Sequence, residues 1–201
     1  MYQSIISKNQ NMIGKTLQDN MVKNKTIILS GAPFSGKTTL LNYFKKNNYP
    51  VIDEQARKLI NYNRENNINI FPWTDQDKFE RICFKNQVIK EKETQKNRFP
   101  KPIIMDESVV DYAAYYLIRN LKIPNFLING IKKSKYDYIF ILDILPNYKK
   151  DKDRPWTITQ INNLQKHLIS LYSQYYTYKV YRIPCLPVKE RFQLIQKIIK
   201  Y

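Results

Sequence analysis

Thr26-Ile27-Ile28-Leu29-Ser30-Gly31-Ala32-Pro33-Phe34-Ser35-Gly36-Lys37-Thr38-Thr39 is the stretch on which the reading of this chain turns. It begins as a short apolar run suited to a buried strand, passes through Gly-x-x-x-x-Gly-Lys-Thr, and continues into the amphipathic start Leu40-Leu41-Asn42-Tyr43-Phe44 of a helix. Strand, glycine-bracketed loop and helix in that order form a phosphate-binding loop. Gly31 and Gly36 permit positive φ, so that the backbone N–H groups of Ala32, Phe34, Ser35 and their neighbours can curl around a polyphosphate. Proline itself brings no N–H to that ring. The helix adds the positive end of its dipole. Lys37 can reach the outer phosphates, and Thr38, followed by Thr39, offers a hydroxyl to Mg²⁺. A chance Gly/Ser turn would not be expected to match all the fixed positions in this context.

Working outward, the pattern predicts strands alternating with helices. Helix 37–46 is followed by a short strand at 49–52 and a helical segment from Asp53 to Ile60, with Ala56, Leu59 and Ile60 on one face. An Asn-rich loop is expected over 61–71, then a helix from about 76 to 95 capped near Asp75, with Phe79, Ile82, Cys83, Phe84 and Ile89 on its apolar side. Ile103-Ile104-Met105-Asp106 reads as a second buried strand, followed by helix 109–121 and a short helix after Pro124. Tyr136–Leu142 is a third strand, leading through a polar segment to helix 158–175. A last strand at 179–183 and a helix opened by Pro187 close the chain. This is an α/β protein, a P-loop NTPase fold of kinase-like type with a mostly parallel sheet and helices on both faces. Residues 1–25 are expected to be a polar N-terminal extension, and 26–201 the domain. The first 25 residues contain no apolar run of signal-peptide type.

Composition narrows the class. At 201 residues and 43% hydrophobic content, one folded domain with a substantial core is expected. The two cysteines, Cys83 and Cys185, are far apart and read as reduced, buried hydrophobes in a cytoplasmic setting, without zinc-like spacing. The formal charge of +17 suits anionic ligands, including nucleic acid or anionic lipid. However, lysine far outnumbers arginine in a chain rich in Asn, Ile and Tyr, a bias that an AT-rich coding sequence produces without any such partner. The densest basic stretches are Lys132-Lys133-Ser134-Lys135 and Lys149-Lys150-Asp151-Lys152.

Ligands of open parallel sheets bind at the carboxyl ends of the strands. Four groups of residues fall there: the loop, Asp53-Glu54 with Arg57, Asp106-Glu107, and the segment 147–156. Asp106 has the place of a Mg²⁺-assisting carboxylate, and as the residue before a helix it is also a capping candidate. Glu107 completes an apolar-run-Asp-Glu pattern of the kind used to polarise an attacking water, or is a first-turn glutamate favoured by the helix dipole. Glu54 and Arg57 are either a surface i,i+3 pair or a substrate-binding pair. Arg154 lies in a charged loop that is either a solvated connection or a lid. Tyr172, Tyr175 and Tyr176 at helical spacing read as packing residues, and His167 as an exposed one.

Taken together these stretches resemble the NadR/Ttd-type AAA domain, a group of P-loop proteins akin to nucleoside and nucleotide kinases. Gly31–Thr38 matches its loop. Asn48–Ile60 is similar to its following strand and Glu-x-Ala-Arg helix. Asp106 with Asp111-Tyr112-Ala113-Ala114-Tyr115 resembles its Asp-Arg-x-x-x-Asp-x-x-x-Tyr segment, except that Glu107 stands where the family often has arginine. Tyr136–Phe140 with Asp151-Lys152-Asp153-Arg154, and Arg182–Arg191, resemble its lid arrangement and closing strand and helix. The resemblance implies ATP- and Mg²⁺-dependent phosphoryl transfer to a small nucleoside- or nucleotide-like acceptor, nicotinamide riboside being one family substrate. It implies nucleotide contacts from Gly31 to Thr39, acceptor contacts from Asp53, Glu54 and Arg57, catalytic roles for Lys37, Asp106 and Arg154, and metal contacts from Thr38 and Asp106; Glu107 is a catalytic candidate through its apolar-run-Asp-Glu pattern instead. GTP in place of ATP, hydrolysis without an acceptor, or a nucleotide-switched module binding anionic lipid or nucleic acid are the alternatives.

Overall fold

A strand buried on both faces must be apolar at successive positions, and β1 (Thr26–Ser30) is buried at all five. In the computed structural model, which describes residues 24–146 and 156–200, β1 is the central strand of a five-stranded sheet. It pairs in parallel with β3 (Ile103–Asp106) on one side and β4 (Tyr138–Leu142) on the other. β2 (Val51–Ile52) flanks β3 and β5 (Val180–Ile183) flanks β4, giving the order β2-β3-β1-β4-β5. Every pairing is parallel. The register sets Leu29 opposite Asp106 and Ser30 opposite Ile141, so the strand carrying the two carboxylates ends directly beside the phosphate loop.

The period of two along each strand divides the core between the faces. Ile27, Leu29, Ile104, Phe140, Leu142 and Ile183 pack with Leu40, Leu41 and Phe44 of α1 (Lys37–Lys46) and Phe192, Ile195 and Ile199 of α7 (Val188–Ile199). Ile28, Ile103, Met105, Ile139 and Ile141 face the other layer. That layer comprises α2 (Gln55–Glu65), α3 (Gln76–Lys96), α4 (Val109–Leu117), α5 (Asn125–Lys133) and α6 (Ile158–Tyr176). Each such side chain taken from water contributes about 1.5–3 kcal/mol. The expected α/β architecture with helices on both faces is the observed one.

Several local expectations are corrected. α2 does not stop at Ile60 but runs to Glu65, because Asn63 is buried and its side-chain amide donates to the Ile70 carbonyl at 2.5 Å. Tertiary packing overrides the weak helix propensity of asparagine there. Ile89 is exposed, and α3 buries Glu80 and Gln87 instead. Cys185 is exposed whereas Cys83 is buried, and both are free thiols. His167 is half-buried. Asp75 caps α3 as expected, accepting from the Lys78 amide at 3.1 Å. Tyr172 is buried and Tyr176 donates to the Ile131 carbonyl at 3.0 Å, so the tyrosine run packs α6. Asn24 and Lys25 already belong to the folded unit: the Asn24 side chain bonds Asn97 and Phe99, and the Lys25 carbonyl accepts from Ile103. The remainder of the expected extension, residues 1–23, and the segment 147–155 with Arg154 lie outside the described residues. No helix among the described residues is long and apolar enough to cross a membrane.

Candidate active site

The loop after β1 takes the conformation that its glycines permit, with φ of 143° at Gly31 and 79° at Gly36. A Cβ on Gly31 would lie 2.8 Å from both the Leu142 carbonyl oxygen and Ser35 Oγ, so the position admits no side chain. Phe34 also has a positive φ, 67°, and its carbonyl accepts from the Leu145 amide at 3.0 Å. Gly36 occupies the N-cap of α1, where no side chain caps the helix. The first-turn N–H groups of α1 are therefore left for an anion.

Two side chains that the sequence did not single out for function brace this loop from behind. Gln165 of α6 accepts from the Ala32 amide at 2.7 Å and donates to the Leu142 carbonyl at 3.0 Å, tying the loop to the end of β4. Arg191 of α7 donates to the Ser35 carbonyl at 2.8 Å. Both come from helices far downstream of the loop, so nothing nearby in sequence marks them.

Lys37 is buried, donates to the Gly31 carbonyl, and lies 3.5 Å from Glu107 Oε1. Burial alone would lower its pKa, but Glu107, Asp106, Glu54 and Asp111 outweigh burial and hold it above 10.5, so the ammonium keeps its proton. Glu107 is equally buried and has a φ of 67°. Burial and then Glu54 push its carboxyl well above 4.5, with Lys37 pulling the other way. Glu107 is held at this turn by a network around Asp111. The Asp111 carboxylate accepts from Ser30 Oγ at 2.6 Å, from the Ser108 amide at 2.8 Å and from the Tyr172 hydroxyl. Ser108 and Asp111 form a reciprocal cap on α4. The end of β1, the β3–α4 turn and α6 are thus locked together.

Pro33, Phe34, Ser35, Gly36, Lys37, Thr38 and Thr39 line a depression of about 210 Å³ with Glu54 and Arg57. The Glu54–Arg57 ion pair exists, with Arg57 Nε 3.6 Å from Glu54 Oε2, and it lines the loop depression as well. The pair is therefore an i,i+3 ion pair that also faces the phosphate loop. Asp53 does not line this depression; its carboxylate pairs with Lys58 at 3.0 Å. Asp106 is buried at the end of β3, close enough to Lys37 to raise its pKa. Thr38 and Thr39 are exposed.

A second cavity, of about 250 Å³, opens on the other side of α2. Ala56 and Ile60 of α2, Trp73, Glu80, Tyr115 and Trp156 are among its walls. Trp73 is half exposed and stacks on Phe71 with ring centroids 5.0 Å apart and planes 1° from parallel. Glu80 and Tyr112 form a buried polar part of the lining. Aromatic rings with a few placed polar groups suit a flat, partly polar ligand. Sequence reading did not find this cavity, since its walls come from four helices and from the loops that carry Trp73 and Trp156.

The chain has the fold of nucleotide kinases. Thymidylate kinase from Candida albicans superposes with a TM-score of 0.68 at 14% identity, over 89% of this chain and 92% of that one. A NadR protein in complex with NR matches with a TM-score of 0.64 at 17% identity, over 89% of this chain and 51% of that one. Thymidylate kinase from Ehrlichia chaffeensis gives a TM-score of 0.56 at 15% identity, over 89% of this chain and all of that one. No curated protein matches it in sequence. Residues 26–191, from the first residue of β1 to the arginine behind the phosphate loop, match the model of a family described as AAA domain, and the chain belongs to that P-loop AAA-domain family.

Proposed function

We propose that this chain transfers the terminal phosphoryl group of ATP to a small nucleoside- or nucleotide-like acceptor. The carrying observation is that α2 serves two cavities at once. Its N-terminal end brings Glu54 and Arg57 to the phosphate loop, while Ala56 and Ile60 line the aromatic cavity. An acceptor with its ring among Trp73, Tyr115 and Trp156 would present its hydroxyl or phosphate toward Glu54 and Arg57. The NadR structure with bound NR supports an acceptor of this shape.

The chemistry is one of placement. Backbone N–H groups of the loop and the uncapped start of α1 hold the polyphosphate, and Lys37 leaves the Gly31 carbonyl to meet the outer phosphate. Arg57 binds acceptor oxygens through its planar fork. Glu54 receives the acceptor's proton as the new P–O bond forms and the bond to the bridging oxygen of the departing diphosphate breaks. The donor set fits Mg²⁺: the exposed Thr38 hydroxyl and the Asp106 carboxylate are hard oxygen ligands beside the loop. When bound, Mg²⁺ supplies charge neutralisation on the phosphate oxygens. Arg154, outside the described residues, is the further positive charge this reading assigns to the transferred group. The burial of Glu107 against Lys37 favours transfer over hydrolysis, because a water-activating carboxylate needs water at its side.

The test is ADP release from Mg-ATP, alone and with a panel of nucleosides and nucleotides, with Lys37→Ala as control. Release that requires one acceptor, and that Lys37→Ala abolishes, is the expected result. Equal release without any acceptor overturns the reading in favour of hydrolysis.

A further inference from the structure

Arg191 is 4% exposed, yet among the described residues no carboxylate balances its charge. Among the described residues no carboxylate pairs with it, and its Nε has no hydrogen-bond partner. A guanidinium does not shed its proton in a protein, and an uncompensated buried charge is strongly unfavourable. Lys37, by contrast, sits among four carboxylates that already offset it. The uncompensated positive charge at this loop therefore belongs to Arg191.

Its position gives that charge an outlet. Nη1 donates to the Ser35 carbonyl at 2.8 Å, and a Cβ on Gly36 would lie 3.2 Å from Nη1 and 3.3 Å from Nη2. The Ser35 carbonyl and the Gly36 N–H are the two ends of one peptide unit. A charge-assisted bond at the carbonyl end polarises the group and makes the N–H a stronger donor. Gly36 is also the uncapped N-cap of α1, where the helix dipole points the same way.

We propose that Arg191 is a positioning residue for polyphosphate: through the Ser35–Gly36 peptide it presents positive charge to an anion in the loop without touching it. This rests on the reading of the loop as a nucleotide site and adds a residue outside the motif on which its grip depends. Arg191 also fixes the peptide in place, since its two nitrogens close off the space on the Cβ side of Gly36.

The experiment compares the full chain with Arg191→Lys, Arg191→Gln and Arg191→Met by calorimetric titration of ATP, inorganic tripolyphosphate and adenosine, with thermal melts recorded in parallel. Arg191→Lys keeps the charge, Arg191→Gln keeps only a neutral donor, and Arg191→Met keeps neither. Expected is a loss of about tenfold in affinity for ATP and tripolyphosphate in the Gln and Met variants, equivalent to about 1.4 kcal/mol. The Lys variant should stay within about threefold of the parent, and adenosine affinity should be unchanged throughout. Gln and Lys variants that behave alike overturn the proposal, as does an adenosine loss equal to that for ATP, which marks a purely structural role. If Arg191→Met fails to fold, the Lys–Gln comparison still decides. A parent chain that binds neither ATP nor tripolyphosphate refutes the nucleotide-site reading, and the proposal with it, whereas binding that is insensitive to Arg191→Gln refutes the proposal alone.

Discussion

Gly31→Ala should be far more damaging than Gly36→Ala, although both remove a glycine of the same motif. At Gly31 the new methyl would meet the Leu142 carbonyl oxygen and Ser35 Oγ, each at 2.8 Å. The serine can turn aside, but the carbonyl belongs to the last residue of β4 and is held by the sheet. The φ of 143° adds to this, lying where only glycine is at ease. Such strained backbone costs about 1–3 kcal/mol, and overpacking a fitted site costs about 1–3 kcal/mol more. A combined loss of about 4 kcal/mol is a large part of the 5–15 kcal/mol that holds a domain together, and corresponds to a melting point lower by about 8–16 °C for a chain of this size. Gly36 has a φ of 79°, in the left-handed helical region, and its Cβ would sit 3.2 Å from Arg191 Nη1, a side-chain end that has only to give by a few tenths of an ångström. About 1–2 kcal/mol is expected there, or roughly 2–8 °C. Thermal melts of both variants, with ATP titrations on the folded fraction, check this. Equal melting points for Gly31→Ala and the parent would refute the argument that the loop excludes a side chain at 31.

Two further outcomes follow from the site. Trp73→Ala removes a stacking surface from the aromatic cavity, and a ring lost to such a platform costs about 1–3 kcal/mol; steady-state kinetics should show the acceptor KM raised by about 10- to 100-fold with the ATP KM unchanged, and an effect on ATP instead would place the acceptor elsewhere. Glu107, whose carboxyl burial and Glu54 push well above 4.5, binds its proton more tightly folded than unfolded. Its contribution to stability is therefore fully present below 4.5 and is lost as pH rises through its folded-state pKa. Urea titrations across that window should show a downward slope that Glu107→Gln flattens; an unchanged slope in the variant would assign it to other groups.

What could be read from the chain alone was whatever is encoded over a few consecutive residues. The phosphate loop is such a feature, because its glycines, lysine and threonine act through the local backbone path from β1 into α1. The buried strands announced themselves as apolar runs, and Asp75 as the cap of α3. Helix ends were less legible: α2 outran its expected stop because Asn63 found a buried partner in Ile70, which no local propensity records. Only the tertiary structure decided which strands neighbour β1, and hence that Asp106 ends beside the loop. Only it joined Glu54 and Arg57 to the same depression, gathered the aromatic cavity from four helices and two loops, and set Gln165 and Arg191 behind the loop. Those groups meet because parallel strand register and helix packing bring distant segments together, whereas a motif is a property of neighbours along the backbone.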